Sequence, residues 1–235
     1  MKLYQQVPIQ ECGESLVPIP LHQFAAEWPH PYVKLGAPYG ERSPYYLRQG
    51  VLERLLQAQH FLQIEYPNWR IQVFDAYRPI AVQQFMVNYT LAQVVQARGL
   101  HLLELAETQR QEFLEEVYEF WAVPNLDPAM PPPHSTGAAI DVTLVDGENA
   151  ISMGSPIDEM SPRSYPDYFG DSLSDGIFHR NRQILKQAMA KAKFQQHPKE
   201  WWHYSYGDQL WAWLNNQTNL HPALTAQYGR AEEGV

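Results

Sequence analysis

Cysteine is almost missing from this chain of 235 residues, where Cys12 stands alone. A lone thiol excludes an internal disulfide and fits a reducing compartment. With no base or cationic cluster near it in sequence, Cys12 reads as an ordinary free thiol rather than a nucleophile. Positive charge is also short. The 17 Lys and Arg face 26 Asp and Glu, a formal net charge of −9, which opposes binding to a phosphate backbone, and no basic patch offsets it. Nucleic acid is therefore not an expected partner. No stretch reaches the roughly 18 consecutive apolar residues of a membrane helix, so a membrane is not expected either. The opening MKLYQQVPIQECGESLVPIP is broken by Gln, Pro and Glu where a secretory signal would carry about 7 to 15 apolar residues. A soluble, cytoplasmic protein is the expectation. Repeats, low-complexity tracts and Gly/Ser linkers are absent and the 19 prolines are dispersed, so residues 1–235 are expected to form one domain.

What is present is enough apolar material for a sizeable core, with 45% hydrophobic and 13% aromatic residues. Ser43-Pro44 has the form of a helix start, and Leu47, Val51, Leu55, Ala58 and Leu62 follow at helical spacing. Arg70 to Tyr77 alternates and is rich in β-formers, predicting a strand that stops at Arg78-Pro79. Pro79 then opens a helix through Phe85, Tyr89 and Val94 toward Gly99. Thr108 with Gln111 predicts a capping box for the next helix, through Phe120. After Pro131-Pro132-Pro133 the character changes. Ala138 to Val145 reads as a strand, Asp146-Gly147 as a hairpin turn toward Ala150 to Met153, Gly154 to about Asp175 as a loop, Ile177 to Lys193 as a helix, and Trp201 to Tyr206 as a strand. Helices first and strands later predict an α+β fold with an antiparallel sheet.

Three segments carry chemistry. HSTGAAID, His134 to Asp141, sets a carboxylate between Ile140 and Val142 in an apolar strand, and a buried carboxylate is costly unless a cation or hydrogen bonds meet it. Gly137 lets the intervening loop fold close. EWWH, Glu200 to His203, offers a second imidazole and a second carboxylate. Two His and one Asp make the three-ligand set of a catalytic zinc site, and a nearby carboxylate that does not ligate can take a proton from water. Residues three apart on a regular strand face opposite ways, so Glu200 and His203 share a site only if the backbone bends there, with the tryptophans packed behind. FDAYRP, Phe74 to Pro79, places Arg78 at a strand end, where its guanidinium could stabilise an oxyanion. Each segment also has a plain structural reading: a helix-capping Asp, an aromatic strand, and an Arg paired with Asp75. His22, His30, His60, His101, His197 and His221 lack ligand-like spacing and read as surface or capping residues.

Together, the AYRP turn, H-x-x-G-x-A-I-D, M-G-x-x-x-D and E-W-W-H, in this order from Phe74 to His203, resemble the VanX-like D-alanyl-D-alanine dipeptidases, zinc peptidases related in fold to the hedgehog signalling domain. The resemblance implies helices packed on a small central, mainly antiparallel sheet, with a motif-bearing core over about residues 44–207. It implies one Zn2+ per chain held by His134, Asp141 and His203, with Glu200 as general base and Arg78 as transition-state stabiliser. It adds Asp158, in MGSPIDEM, as the acid that pairs with the free amino group of the dipeptide. The implied reaction is hydrolysis of D-Ala-D-Ala, a small D,D-dipeptide, to two D-alanines, and a homodimer stays open. Pro132 stands where the family commonly has a serine, two positions before the first zinc histidine. A peptidoglycan D,D- or L,D-carboxypeptidase and a non-catalytic zinc-containing module are the competing readings.

Overall fold

A computed structural model describes residues 2–171, 174–218 and 223–231. In chain order the elements are β1 (Leu16–Pro18), β2 (Ala25–Ala26), α1 (Pro31–Lys34), β3 (Tyr46–Arg48), α2 (Gln49–Glu65), β4 (Trp69–Asp75), α3 (Ile80–Ala97), α4 (Glu107–Phe120), β5 (Ala139–Asp146), β6 (Asn149–Ala150), α5 (Gly176–Lys191), β7 (Gln195–Gln196), β8 (His203–Ser205) and α6 (Gln209–Asn216). Short 3-10 turns at Leu3–Gln6, Leu102–Glu104, Pro133–Thr136 and Pro162–Ser164 punctuate them. The result is an α+β fold around a sheet of order β2-β4-β5-β8-β7, with β6 paired to β5 as a hairpin. All pairings in it are antiparallel except β2 with β4.

The strand pattern explains where the core sits. Ile140, Val142 and Leu144 of β5 and Ile71 and Val73 of β4 are completely buried, in one cluster with Leu55, Ala58 and Leu62 of α2 and Leu185, Ala188 and Met189 of α5. Period-2 alternation turns Asp141 to the opposite side of β5 from Ile140 and Val142. A second cluster joins α1, α3 and α4 through Tyr32, Val82, Met86, Leu91, Val117 and Trp121. Each fully buried Leu, Ile or Val contributes about 1.5–3 kcal/mol relative to leaving it in water.

Three expected boundaries move, each for a visible reason. The helix expected from Ser43-Pro44 begins at Gln49, because Tyr46–Arg48 pairs antiparallel with Leu16–Pro18. The Ser43 hydroxyl serves a local turn instead, accepting from the Tyr45 N–H at 3.2 Å. At α4 the cap lies two residues earlier than Thr108 with Gln111, since the Gln109 side chain accepts from the Ala106 N–H at 3.1 Å. Strand β4 stops at Asp75, two residues before the expected Tyr77, as the chain bends and the Arg78 N–H reaches the His134 carbonyl at 3.2 Å.

Candidate metal centre

Sheet register builds the centre. Asp141 of β5 lies opposite His203 of β8 on one side and opposite Asp75 of β4 on the other, next to a shift in the β4–β5 register between Val73 and Asp75. Three polar side chains from three adjacent strands are thereby lined up. His134 arrives from the 3-10 turn Pro133–Thr136, whose end is Gly137 in the left-handed region at φ 70°. A Cβ at Gly137 would drive into Leu16, so the residue must be glycine both for its backbone and for the space. Arg48 secures this turn from behind. Its Nε donates to the Thr136 carbonyl at 2.8 Å, Nη1 donates to the Glu14 carbonyl, and Nη2 donates to the Gly229 carbonyl and to Glu11 Oε2, both at 3.2 Å. The Ala231 N–H donates to the Ser135 carbonyl at 2.9 Å, so the far end of the described chain is tied to the same turn.

His134, Asp141 and His203 converge in the buried centre of this arrangement, each offering a donor atom to one point. His134 Nε2 is 3.2 Å from Asp141 Oδ2 and 3.2 Å from His203 Nδ1, and His203 Nδ1 is 3.0 Å from Asp141 Oδ1. Ligands at zinc–nitrogen and zinc–oxygen distances of about 2.0–2.1 Å in a tetrahedron are separated by about 3.3 Å, so the donor set fits that ion. The other nitrogens are engaged. His134 Nδ1 lies 2.7 Å from the Ala76 carbonyl, which leaves Nε2 with its lone pair facing the centre. His203 Nε2 is 3.5 Å from Ser205 Oγ, and that hydroxyl donates to Asp208 Oδ2 at 2.9 Å. Beside these imidazoles the Asp141 carboxyl, although buried, is held well below the usual carboxylate range.

Glu200 precedes β8 in a bend, and Trp201 and Trp202 are buried behind it, the local departure from a regular strand that the spacing required. Glu200 Oε2 lies 3.8 Å from His203 Nδ1. Burial, reinforced by the charge of Asp141, pushes its carboxyl well above the usual value. Arg78 is held on every side. Its Nη2 is 2.7 Å from Asp75 Oδ2 and 3.5 Å from Asp141 Oδ2, Nη1 donates to Gln83 Oε1 at 2.9 Å, and the guanidinium stacks 5.1 Å from the Tyr32 and Trp121 ring centres. The plain reading of Arg78, a partner of Asp75, is therefore realised, and the same pairing fixes the guanidinium beside the metal donors. Asp75, completely buried, also receives the Tyr39 hydroxyl at 3.0 Å and faces His30 Nε2 at 3.1 Å. Asp158 sits in the loop after β6 with φ 65°, accepts from the Tyr32 hydroxyl at 2.8 Å, and is pushed by burial and by Asp141 up to about 7.

These groups line one small cavity of about 50 Å³, in which Arg78, His134, Asp141, Asp158, Glu200 and His203 all take part. It has room for a few waters or the reacting part of a small molecule. Sequence spacing had left some of its walls unseen. His197 was expected at the surface or in a cap, yet it lines the cavity with Nδ1 3.6 Å from Glu200 Oε1. His30, assigned to the same class, is buried: it does cap α1, accepting from the Tyr32 N–H at 3.2 Å, but its other nitrogen faces Asp75. His221 lies outside the described residues. Asp75 was legible in FDAYRP as a partner for Arg78, whereas nothing in the sequence pointed to the Ser205–Asp208 pair or to Lys2 and Tyr4, which also line the cavity.

Comparisons with known proteins show the family of the chain. A family model described as peptidase M15, D-Ala-D-Ala dipeptidase, matches residues 25–223. A D-alanyl-D-alanine dipeptidase of Synechocystis sp. is 49% identical over 241 residues, covering 99% of this chain and 98% of that one. A D-alanyl-D-alanine dipeptidase of Enterococcus faecalis is 37% identical over 78 residues, 32% of this chain and 37% of the relative. Among solved structures, a vancomycin-resistance D,D-pentapeptidase in complex with Zn(II) aligns with 87% of this chain and 88% of its own, at 15% identity and a TM-score of 0.47. The chain belongs to the peptidase M15 family of D-Ala-D-Ala dipeptidases.

Proposed function

We propose that this hydrolase cleaves the free dipeptide D-Ala-D-Ala to two D-alanines, with one zinc ion per chain on His134, Asp141 and His203. The observation that carries the reading is the convergence, in one small cavity, of a three-donor set, a carboxylate beside it that is not one of the donors, and a separate carboxylate at the wall. When bound, zinc supplies Lewis-acid polarisation of the scissile carbonyl and makes a neighbouring water more acidic. Glu200 takes the proton from the attacking water and passes it to the leaving amine nitrogen. Burial raises its pKa, which favours holding the proton between those two steps, and a cation on the neighbouring donors would lower that pKa so that the group starts as a carboxylate. Arg78 faces the charge that develops on the carbonyl oxygen, and its clamp of Asp75 and Gln83 removes the need to reorganise during the reaction.

Asp158 binds the substrate ammonium, which selects peptides whose amine is free and measures length from that end. Tyr32 steadies it through the 2.8 Å hydrogen bond. Among the described residues no helix is long and apolar enough to cross a membrane. The test is direct: incubate the zinc-loaded protein with D-Ala-D-Ala and with its N-acetyl derivative and measure released D-alanine. Turnover of the free dipeptide alone is expected. Cleavage of the acylated peptide in its place would remove the dipeptidase reading and leave a carboxypeptidase.

A further inference from the structure

A dipeptide carries a carboxylate as well as an ammonium, and lysine and arginine side chains that could meet its charge are few on the cavity wall. The residue two positions before His134 is Pro132, which has no donor on its side chain or backbone nitrogen. Two lysine or arginine side chains line the cavity, Arg78 and Lys2. Arg78 already faces Asp75, Asp141 and Gln83.

Lys2 is held in place at its backbone and left open at its tip. Its N–H donates to Gln5 Oε1 at 2.8 Å, closing the 3-10 turn Leu3–Gln6. Gln209 of α6 then staples that turn to the fold, its Nε2 donating to the Gln5 carbonyl at 3.2 Å and to the Val7 carbonyl at 2.7 Å. Tyr4, on the same turn, is buried and lines the cavity too. Among the described residues, no hydrogen bond or ion pair is made by Lys2 Nζ. Its charge is felt by Glu200 and His197, whereas the charges acting on Asp158 are those of Asp141, Arg78 and Asp75. Lys2 and Asp158 both line the cavity, and Glu200 feels the charge of each.

We infer that Lys2 is the counter-charge for the C-terminal carboxylate of the substrate, so that a free dipeptide is held at both ends. The inference rests on the dipeptidase reading above. An ammonium on a flexible stem suits a point contact with a carboxylate, and a charge-assisted contact is the stronger kind of hydrogen bond. Burial pulls the Lys2 pKa down, the usual cost to a cation away from water. An incoming carboxylate relieves that cost. The same contact gives selection at the second end, because a peptide continued or amidated at its C-terminus has no charge to offer Lys2.

The experiment compares D-Ala-D-Ala with its C-terminal amide in the wild type, Lys2→Met and Lys2→Arg, each checked for an unchanged melting temperature and zinc content. The wild type is expected to favour the acid over the amide in kcat/KM by about tenfold or more, as a charged hydrogen bond allows. Lys2→Met should bring that ratio within about threefold, chiefly through KM for the acid, and Lys2→Arg should restore most of it. An unaltered ratio in Lys2→Met overturns the inference. So does an equal fall in kcat for acid and amide, which would place the effect of Lys2 on Glu200 instead of on the substrate. If the wild type cleaves some other free dipeptide but no D,D-dipeptide, the substrate reading falls alone and the ratio is measured on that peptide. A protein that cleaves no dipeptide overturns both.

Discussion

The two sides of the cavity are built from different materials. On one side, Asp141 and His203 sit opposite each other on paired strands, with Asp75 opposite Asp141 on the next, so hydrogen-bond register fixes the donors. On the other, Asp158 stands in a loop with φ 65° and Lys2 precedes a 3-10 turn tied to α6 by one glutamine. The difference teaches a division of labour. Sheet register holds two of the three proposed donors, whose separations a metal would dictate, while loops hold the charges proposed to meet a substrate and vary in length and sequence at little cost to the fold.

The largest effect expected from challenging this division is at the bend that leads into β8. Glu200→Gln removes the proton acceptor yet keeps shape, so kcat should fall by about 10² to 10⁴. Zinc content measured by atomic absorption should stay at the wild-type level, because Glu200 is proposed to lie outside the donor set. Loss of zinc in this variant would show that the base and the donors are not separable.

On the loop side, Asp158→Asn should raise KM for the free dipeptide by about 10- to 100-fold while zinc binding is kept. The pH dependence has a definite sign. Burial raises the Asp158 carboxyl to about 7, so its proton leaves, and the ammonium anchor appears, as the pH rises through that value. A cation on the neighbouring donors pulls the value down, which puts the rising limb in 1/KM at or below pH of about 7. Asp158→Asn should flatten it. A limb that persists in KM would assign the amine contact elsewhere.

The smallest effect sharpens the boundary between the two materials. Gly137→Ala puts a side chain into a left-handed turn and against Leu16, which should cost about 1–3 kcal/mol in chemical denaturation and weaken zinc binding through the displaced His134. Unchanged zinc affinity with lowered stability would show that the imidazole is positioned by its bond to the Ala76 carbonyl rather than by the turn.

The same division governs how much could be read from sequence. Ile140, Val142 and Leu144 alternate with Asp141, so β5 and its lone carboxylate were legible in period 2, and the helix after Pro79 was legible in its start signal and apolar spacing. Tyr46–Arg48 was not, since its pairing partner Leu16–Pro18 lies about thirty residues away and Leu47 fits a helical stripe equally well. At the site, His134, Asp141, Glu200 and His203 belong to compact segments whose residue types suggest metal chemistry. Asp158 needed the family resemblance, because an isolated loop carboxylate has no local signature. Lys2, His197 and Asp208 needed the fold itself, for their neighbours in space are far away in sequence.

Arg48 draws a final consequence from this long-range assembly. Through it and Ala231, the turn bearing His134 is fastened to Glu11, Glu14, Gly229 and the last described residues of the chain. A ribosome releases the first donor residue long before the last fastener, and His203 emerges between them. The proposed donor cage is thus a late product of biogenesis: a nascent chain stalled before residue 203 lacks one of its three donors.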